Sequence, residues 1–257
     1  MTEYGELIQQ AAHVLRGARH PAVLTGAGVS QESGVPTFRE ALDGLWAQYD
    51  PEELATPMAF QRNPKLVWDW YAHRRALLGA VQPNPAHLAL ARLEQRFSSL
   101  RIITQNVDDL HEQAGSTHII HLHGNIARSK CVANCQGNPT LIDLTTLDPA
   151  DDETPPKCPH CGEFVRPDVV WFHEVLPAHA IQDATAAAQR CDVMLVVGTS
   201  GLVSPASTLP HLAKQHGATI IEINPAASTI SPIADIKLTG PAGLLLPQLV
   251  EVLDVEA

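Results

Sequence analysis

No apolar run in the 257 residues approaches the roughly 18 expected of a membrane span. The opening Met1-Thr2-Glu3-Tyr4-Gly5-Glu6 lacks the basic start and apolar core of a secretory signal, and the arginine-rich character of a mitochondrial presequence. The expected location is the cytoplasm, for the chain as it stands or for a mature form already trimmed, with no membrane partner. Basic residues are in deficit. Seventeen Lys and Arg stand against 28 Asp and Glu, giving a formal net charge of −11 at pH 7. Such a chain repels phosphate backbones, which argues against broad nucleic-acid binding and suits a positively charged peptide. Internal repeats and a low-complexity tail are absent. Cysteines are few: five, an odd number, four of them in two close pairs. In a chain of cytosolic appearance this favours a metal over a disulfide framework.

What is present is ordinary globular material. Hydrophobic residues make up 45% and charged residues 18%, enough for one large domain, or a main domain with a smaller insert. Residues 3–16 carry Leu7, Ile8, Ala11, Ala12 and Leu15 at helical spacing. Short apolar runs at 22–25, 100–104, 119–122, 193–197, 218–223 and 236–238 read as buried strands. Helical patterns at 83–97, 178–190 and 205–216 separate several of them, Pro210 interrupting the last. That alternation predicts an α/β fold: a Rossmann-like parallel sheet with helices on both faces. Two stretches break the rhythm. Residues 40–80 read as tryptophan-rich helices and loops, and 124–166 hold the paired cysteines and an acidic, loop-like tract at 148–153. They are expected to form a small domain, a helical insert plus a cysteine-bearing module. The main domain would then comprise 1–39, 81–123 and 167–257.

Five segments carry chemistry. Strand 22–25 ends in Gly26-Ala27-Gly28, within a string that runs on through Ser33-Gly34 to Pro36-Thr37-Phe38-Arg39. Glycines there let the backbone approach a pyrophosphate, although the spacing G-x-G-x-x-x-x-x-G also suits a tight strand-to-helix turn. Strand 100–104 runs into Gln105-Asn106-Val107-Asp108. A polar cluster beyond a parallel strand can meet a ligand, or Asn106 or Asp108 can cap the next helix. In Ile120-His121-Leu122-His123-Gly124, strand alternation sets the two histidines on one side. A histidine there is a general base or a structural residue. Cys131 and Cys135 enclose three residues, Cys158 and Cys161 two, with 22 between the pairs. Four thiolates complete a closed, structural zinc site, with His160 as an alternative nitrogen donor. Cys191, at the start of an apolar strand, reads as a small buried hydrophobe. Lastly, Val67, Trp70, Tyr71, Leu77 and Leu78 form an apolar stripe with Arg74 in its middle. An inward arginine needs an anion. Asp69 lies on another face, which leaves a distant carboxylate, water or a ligand.

Together these strings, from Ala22 to the Gly240 region, resemble the sirtuins, NAD-dependent protein lysine deacylases. The resemblance implies that NAD is a consumed co-substrate, held by Gly26, Ala27 and Gly28 at its phosphates and by Phe38 and Arg39 on a loop over it. Gln105, Asn106 and Asp108 would line the nicotinamide pocket. Gly198, Thr199, Ser200 and Asn224 would meet the adenosine side, and Ala242 the adenine. His123 would be the base, and Cys131, Cys135, Cys158 and Cys161 would hold one structural zinc. The segment Val169-Val170-Trp171-Phe172 would lie along the acyl-lysine peptide; many members have glycine where His173 stands. The Tyr71-x-x-Arg74 pair and small Ala55 resemble class III members, which bind the distal carboxylate of succinyl, malonyl or glutaryl lysine. The implied reaction has the acyl oxygen attack the nicotinamide ribose. Nicotinamide leaves, His123 activates a ribose hydroxyl that attacks the resulting imidate, and water completes the reaction to give free lysine and an O-acyl-ADP-ribose. A general deacetylase, a mono-ADP-ribosyltransferase, an NAD oxidoreductase and an NAD-sensing zinc module without turnover are the alternatives. The oligomeric state is not legible; a monomer fits.

Overall fold

The computed structural model describes residues 3–35, 50–147 and 154–255. Phe38, Arg39, the first part of the helical insert (40–49) and the acidic tract at 148–153 lie outside them. Six parallel strands form the main sheet: β1 (Pro21–Thr25), β2 (Arg101–Thr104), β3 (Ile119–His121), β6 (Val193–Val197), β7 (Thr219–Asn224) and β8 (Ile236–Thr239). Their order is β3-β2-β1-β6-β7-β8. The chain thus builds outward in one direction from β1, then returns and builds outward in the other. This is the doubly wound arrangement, whose ligand crevice opens where the order reverses, between β1 and β6.

Helices α1 (Glu3–Arg16), α6 (Pro85–Arg96) and α10 (Ala242–Val255) cover one face. Leu15, Leu90, Leu93 and Leu249 pack there against Val23, Ile102, Leu195 and Ile221. Helices α8 (Ala178–Arg190) and α9 (Leu209–Gln215) cover the other, with Ala184, Ala188 and Leu209 against Leu24, Ile103, Met194 and Ile220. Strands buried on both sides explain the unbroken apolar runs. Cys191 is buried there, its thiol pushed up to about 12 by desolvation. The helix expected over 205–216 is shorter. A 3-10 turn at Ala206–Thr208 precedes α9, and Pro210 falls in the first turn of α9, where its missing N–H costs little. Among the described residues no helix is long and apolar enough to cross a membrane.

The insert contributes α3 (Pro51–Leu54), α4 (Pro57–Arg62) and α5 (Pro64–Gly79). Thr56 and Asn63 each precede a proline and accept a backbone N–H, from Ala59 and Leu66, which sets sharp starts for α4 and α5. Asn84-Pro85 repeats the device for α6. Strands β4 (Gly124–Cys131) and β5 (Val165–Val169) pair antiparallel in a second sheet. That pairing carries 165 and 166 together with 167–169, so a division at 166/167 runs through a strand. On α5, Val67, Trp70, Tyr71 and Arg74 are buried as the stripe requires. Leu77 corrects it: in the last turn of α5 it is 43% exposed, and Leu78 carries the packing there.

Candidate active site

In-register pairing aligns the carboxyl ends of the central strands. Thr25 lies beside Thr104 and Val197, Val197 beside Ile223, and Asn224 beside Thr239. The chemical segments leave the sheet just beyond these positions, on one edge. Gly26 caps the short helix α2 (Ala27–Gln31), and Gly28 N–H donates to the Gly198 carbonyl at 2.8 Å. A Cβ on Gly26 would lie 2.7 Å from Thr199 Cβ, and one on Gly28 2.8 Å from Gly198 O. The β1 and β6 turns therefore interlock, and the glycines are required by that contact whatever ligand lies above. Gly198 sits at φ +59, the left-handed region that glycine enters without strain.

A polar network ties these turns to the loop after β2. Gln105 Nε2 donates to Thr199 Oγ1 at 3.0 Å, and Asn224 Nδ2 to the Thr199 carbonyl at 3.0 Å. Asn106 Nδ2 donates to Ser30 Oγ at 2.9 Å, and Ser30 Oγ donates to Asp108 Oδ2 at 3.0 Å. Asp108 Oδ1 also accepts the N–H of Leu110, the first residue of α7 (Leu110–Gln113), from one position before the N-cap Asp109. Burial raises the Asp108 carboxyl above its ordinary range, opposed by those two hydrogen bonds. Ser30, His87 and His111 were not singled out from the sequence. His87 Nδ1 accepts Asn84 N–H at 3.3 Å, leaving Nε2–H to face Ser30 Oγ at 3.4 Å. His111 Nε2 lies 3.1 Å from Thr25 Oγ1. Desolvation lowers the His87 pKa to about 4 and that of His111 to about 3, so both are neutral members of the network at pH 7. Ser30 lies inside the glycine string; His87 closes the Asn84 capping box of α6, and its contact with Ser30 spans 57 residues.

His123 stands two positions beyond β3. Its Nδ1 lies 2.8 Å from the Gln105 carbonyl, which can only accept, so Nδ1 carries the proton and Nε2 presents a lone pair. Burial lowers its pKa below the usual histidine value, more than that hydrogen bond raises it. A neutral imidazole in a fixed tautomer is what a general base requires. His121 is bound instead to Glu112, Nε2 to Oε1, at 2.6 Å.

The four paired cysteines converge, with all Sγ atoms within 4.8 Å of one another. Cys131–Cys161 and Cys135–Cys158 are 3.5 and 3.8 Å apart. Tetrahedral zinc with Zn–S near 2.3 Å needs sulfurs roughly 3.8 Å apart, so the donor set fits. The third residue between Cys131 and Cys135 is absorbed by Asn134 at φ 48, which turns the chain between the two thiols. His160 is not part of the cluster.

On the small-domain side, Ala55, Trp70, Tyr71, Val169 and Trp171 share one buried cluster, and the Arg74 guanidinium lies 5.1 Å from the Trp70 ring centroid. Burial raises the Tyr71 pKa to about 12, with Arg74 opposing, so its hydroxyl remains protonated. Burial also lowers the Arg74 pKa, countered by Tyr71. The Val169–Phe172 segment is less open to a peptide than an exposed edge strand. Val170 N–H donates to the His123 carbonyl and Phe172 N–H to that of Ala55, both at 2.9 Å, and Trp171 N–H to Glu174 Oε2 at 2.8 Å. Ala242 opens α10; the next amide, Gly243 N–H, donates to Glu32 Oε1, and Gly240 N–H donates to the Asn224 carbonyl.

The model of the Sir2 family matches residues 26–205. NAD-dependent protein deacylase 1 of Pseudomonas aeruginosa is 50% identical over 244 residues, covering 94% of this chain and 97% of that protein. The NAD-dependent protein deacylase of Pyrococcus abyssi is 50% identical over 244 residues, covering 95% and 97%. Among solved structures, a Sir2 homologue in complex with NAD superposes with a TM-score of 0.86 at 44% identity, covering 96% of this chain and 94% of that one. Sir2Af2 bound to a myristoylated histone peptide superposes at 0.75 with 34% identity, covering 98% of each.

Proposed function

The chain belongs to the Sir2 family, and from that premise we propose that it removes acyl groups from protein lysines at the expense of NAD, with a pocket suited to succinyl, malonyl and glutaryl chains. The observation that carries the deacylase reading is the fixed tautomer of His123, whose Nε2 lone pair lies at the carboxyl edge of a sheet built like those that bind dinucleotides. NAD, when bound, supplies the ribose to which the acyl group is transferred and leaves as nicotinamide and an O-acyl-ADP-ribose. His123 takes a hydroxyl proton at Nε2 and keeps its own at Nδ1 on the Gln105 carbonyl. The Ser30, Asn106 and Asp108 network fixes the loop after β2, and the interlocked glycine turns bring backbone to the crevice without side chains in the way. Cys131, Cys135, Cys158 and Cys161 would hold zinc as a closed support for β4 and β5, with no position left for chemistry.

The acyl preference rests on the cluster of Ala55, Tyr71 and Arg74. Arg74 can meet a distal carboxylate through two N–H groups, the protonated Tyr71 hydroxyl adds a third donor, and Ala55 leaves room. Partly desolvated, such a contact should favour succinyl over acetyl lysine by about 1.5–3 kcal/mol, roughly 10- to 150-fold in kcat/KM. The test is to incubate the protein with NAD and a succinyl-lysine peptide and to follow both small products by mass spectrometry. Nicotinamide and O-succinyl-ADP-ribose in equal amounts is the expected result. Desuccinylated peptide without nicotinamide release, or no turnover of any acyl peptide, would refute it.

A further inference from the structure

Tyr71 is held from behind. Its Oη accepts a hydrogen bond from Trp171 Nε1–H at 3.0 Å, across 100 residues of sequence. An indole N–H can only donate, so one lone pair of the hydroxyl is taken and its proton is directed elsewhere. No acceptor among the described residues takes that proton. Trp171 is itself clamped. Its ring lies 3.2 Å from Arg166 Cζ, and Arg166 is fixed by Glu174 through two N–H···O contacts of 2.6 and 2.9 Å and by the Val169 carbonyl at 2.7 Å. Glu174 Oε2 also accepts Trp171 N–H, so one carboxylate holds both the arginine and the backbone of the tryptophan. Trp171 is 2% exposed and Tyr71 fully buried, so the hydrogen bond between them is shielded from water.

We infer that Trp171 is a positioning residue for acyl selection: by donating to Tyr71 Oη it fixes the hydroxyl rotor, so that Tyr71 offers its proton to the distal carboxylate of an acidic acyl chain. The inference rests on the proposed acidic-acyl reading of Tyr71 and Arg74. Without the indole N–H, the Tyr71 hydroxyl gains a free lone pair and a second rotor position, and its donation to the carboxylate weakens.

The experiment is a double-mutant cycle on Trp171→Phe, Tyr71→Phe and the pair, read as the succinyl-to-acetyl ratio of kcat/KM. The ratio cancels whatever disturbance of the segment affects all peptides alike. In the parent background, Trp171→Phe should lower the ratio roughly two- to tenfold, mostly through KM for the succinyl peptide. In the Tyr71→Phe background it should leave the ratio unchanged, because no hydroxyl remains to orient. Equal losses on both peptides, or the same drop in ratio in both backgrounds, would overturn the inference. Benzothienylalanine at 171, which keeps the ring shape and replaces N–H by sulfur, gives the same reading should Trp171→Phe not fold. A collapsed ratio in Tyr71→Phe and Arg74→Met with none in either Trp171 variant would remove only the role of Trp171. An unaltered ratio in Tyr71→Phe and Arg74→Met would remove the acidic-acyl reading itself, and this inference with it.

Discussion

The edge of the large sheet and the proposed acyl pocket around Arg74 are built by opposite means. At the edge, backbone meets backbone: Gly28 bonds Gly198, and short polar side chains such as Ser30, Asn106 and Asp108 satisfy one another. On the acyl side, large aromatic rings surround an arginine, and hydrogen bonds such as Trp171 to Tyr71 join distant segments. Both regions join distant segments, but the first is made of contiguous strings at strand ends, and the second of single side chains drawn from separate elements. Substitutions at the edge should therefore affect all acyl substrates alike, while those around Arg74 should discriminate among them.

The largest expected effect lies at the edge. His123→Ala should lower kcat on acetyl and succinyl peptides alike by about 10²–10⁴-fold while NAD binding, followed by calorimetry, persists. The pH profile shares this origin. His123 is competent when neutral, above its pKa, and burial lowers that pKa; activity should hold through pH 6.5 and fall only on the acid side. A variant with near-parental turnover would assign the base elsewhere.

Zinc comes next, acting on the small domain rather than the edge. Cys158→Ser, or chelation, forfeits part of a binding energy of order 10–16 kcal/mol that is coupled to folding. The protein should carry about one zinc per chain, and its loss should open the β4–β5 region to protease before the large sheet. Freshly purified, active protein without zinc would contradict this. Tyr71→Phe is a smaller test of the contrast: succinyl turnover should fall several-fold more than acetyl, because only one of three donors to the distal carboxylate is lost. The smallest effect is structural. His173 sits at φ 69, in a turn closed by Glu174 N–H on the Trp171 carbonyl. His173→Gly should relieve left-handed strain and stabilise by under about 1 kcal/mol, raising Tm by roughly 1–3 °C. A lower Tm would mean that the histidine side chain contributes more than the strain costs.

The same contrast governs what was legible in the sequence. Strands buried on both faces announce themselves as apolar runs, and the glycine, Gln-Asn and Leu-His-Gly strings are contiguous because one strand end supplies each. The cysteine pairs were legible because a closed Cys₄ site needs only spacing. Strand β4 was hidden: its register shifts between Asn125 and Ser129, which breaks the period of two. Leu77 was misplaced because a helical stripe continues on paper beyond the packing that buries it. The His87–Ser30 and Trp171–Tyr71 contacts were hidden for a third reason. They span 57 and 100 residues, and no local pattern encodes a contact that the fold alone creates.

The most direct test of the acyl side is the succinyl-to-acetyl ratio of kcat/KM in the parent protein and in Arg74→Met. The expected result is a parent ratio of roughly 10–150 that collapses in the variant through loss of succinyl activity, while acetyl activity holds or rises. Equal losses on both peptides, with a parallel fall in thermal stability, would make Arg74 a structural residue and contradict the acidic-acyl pocket.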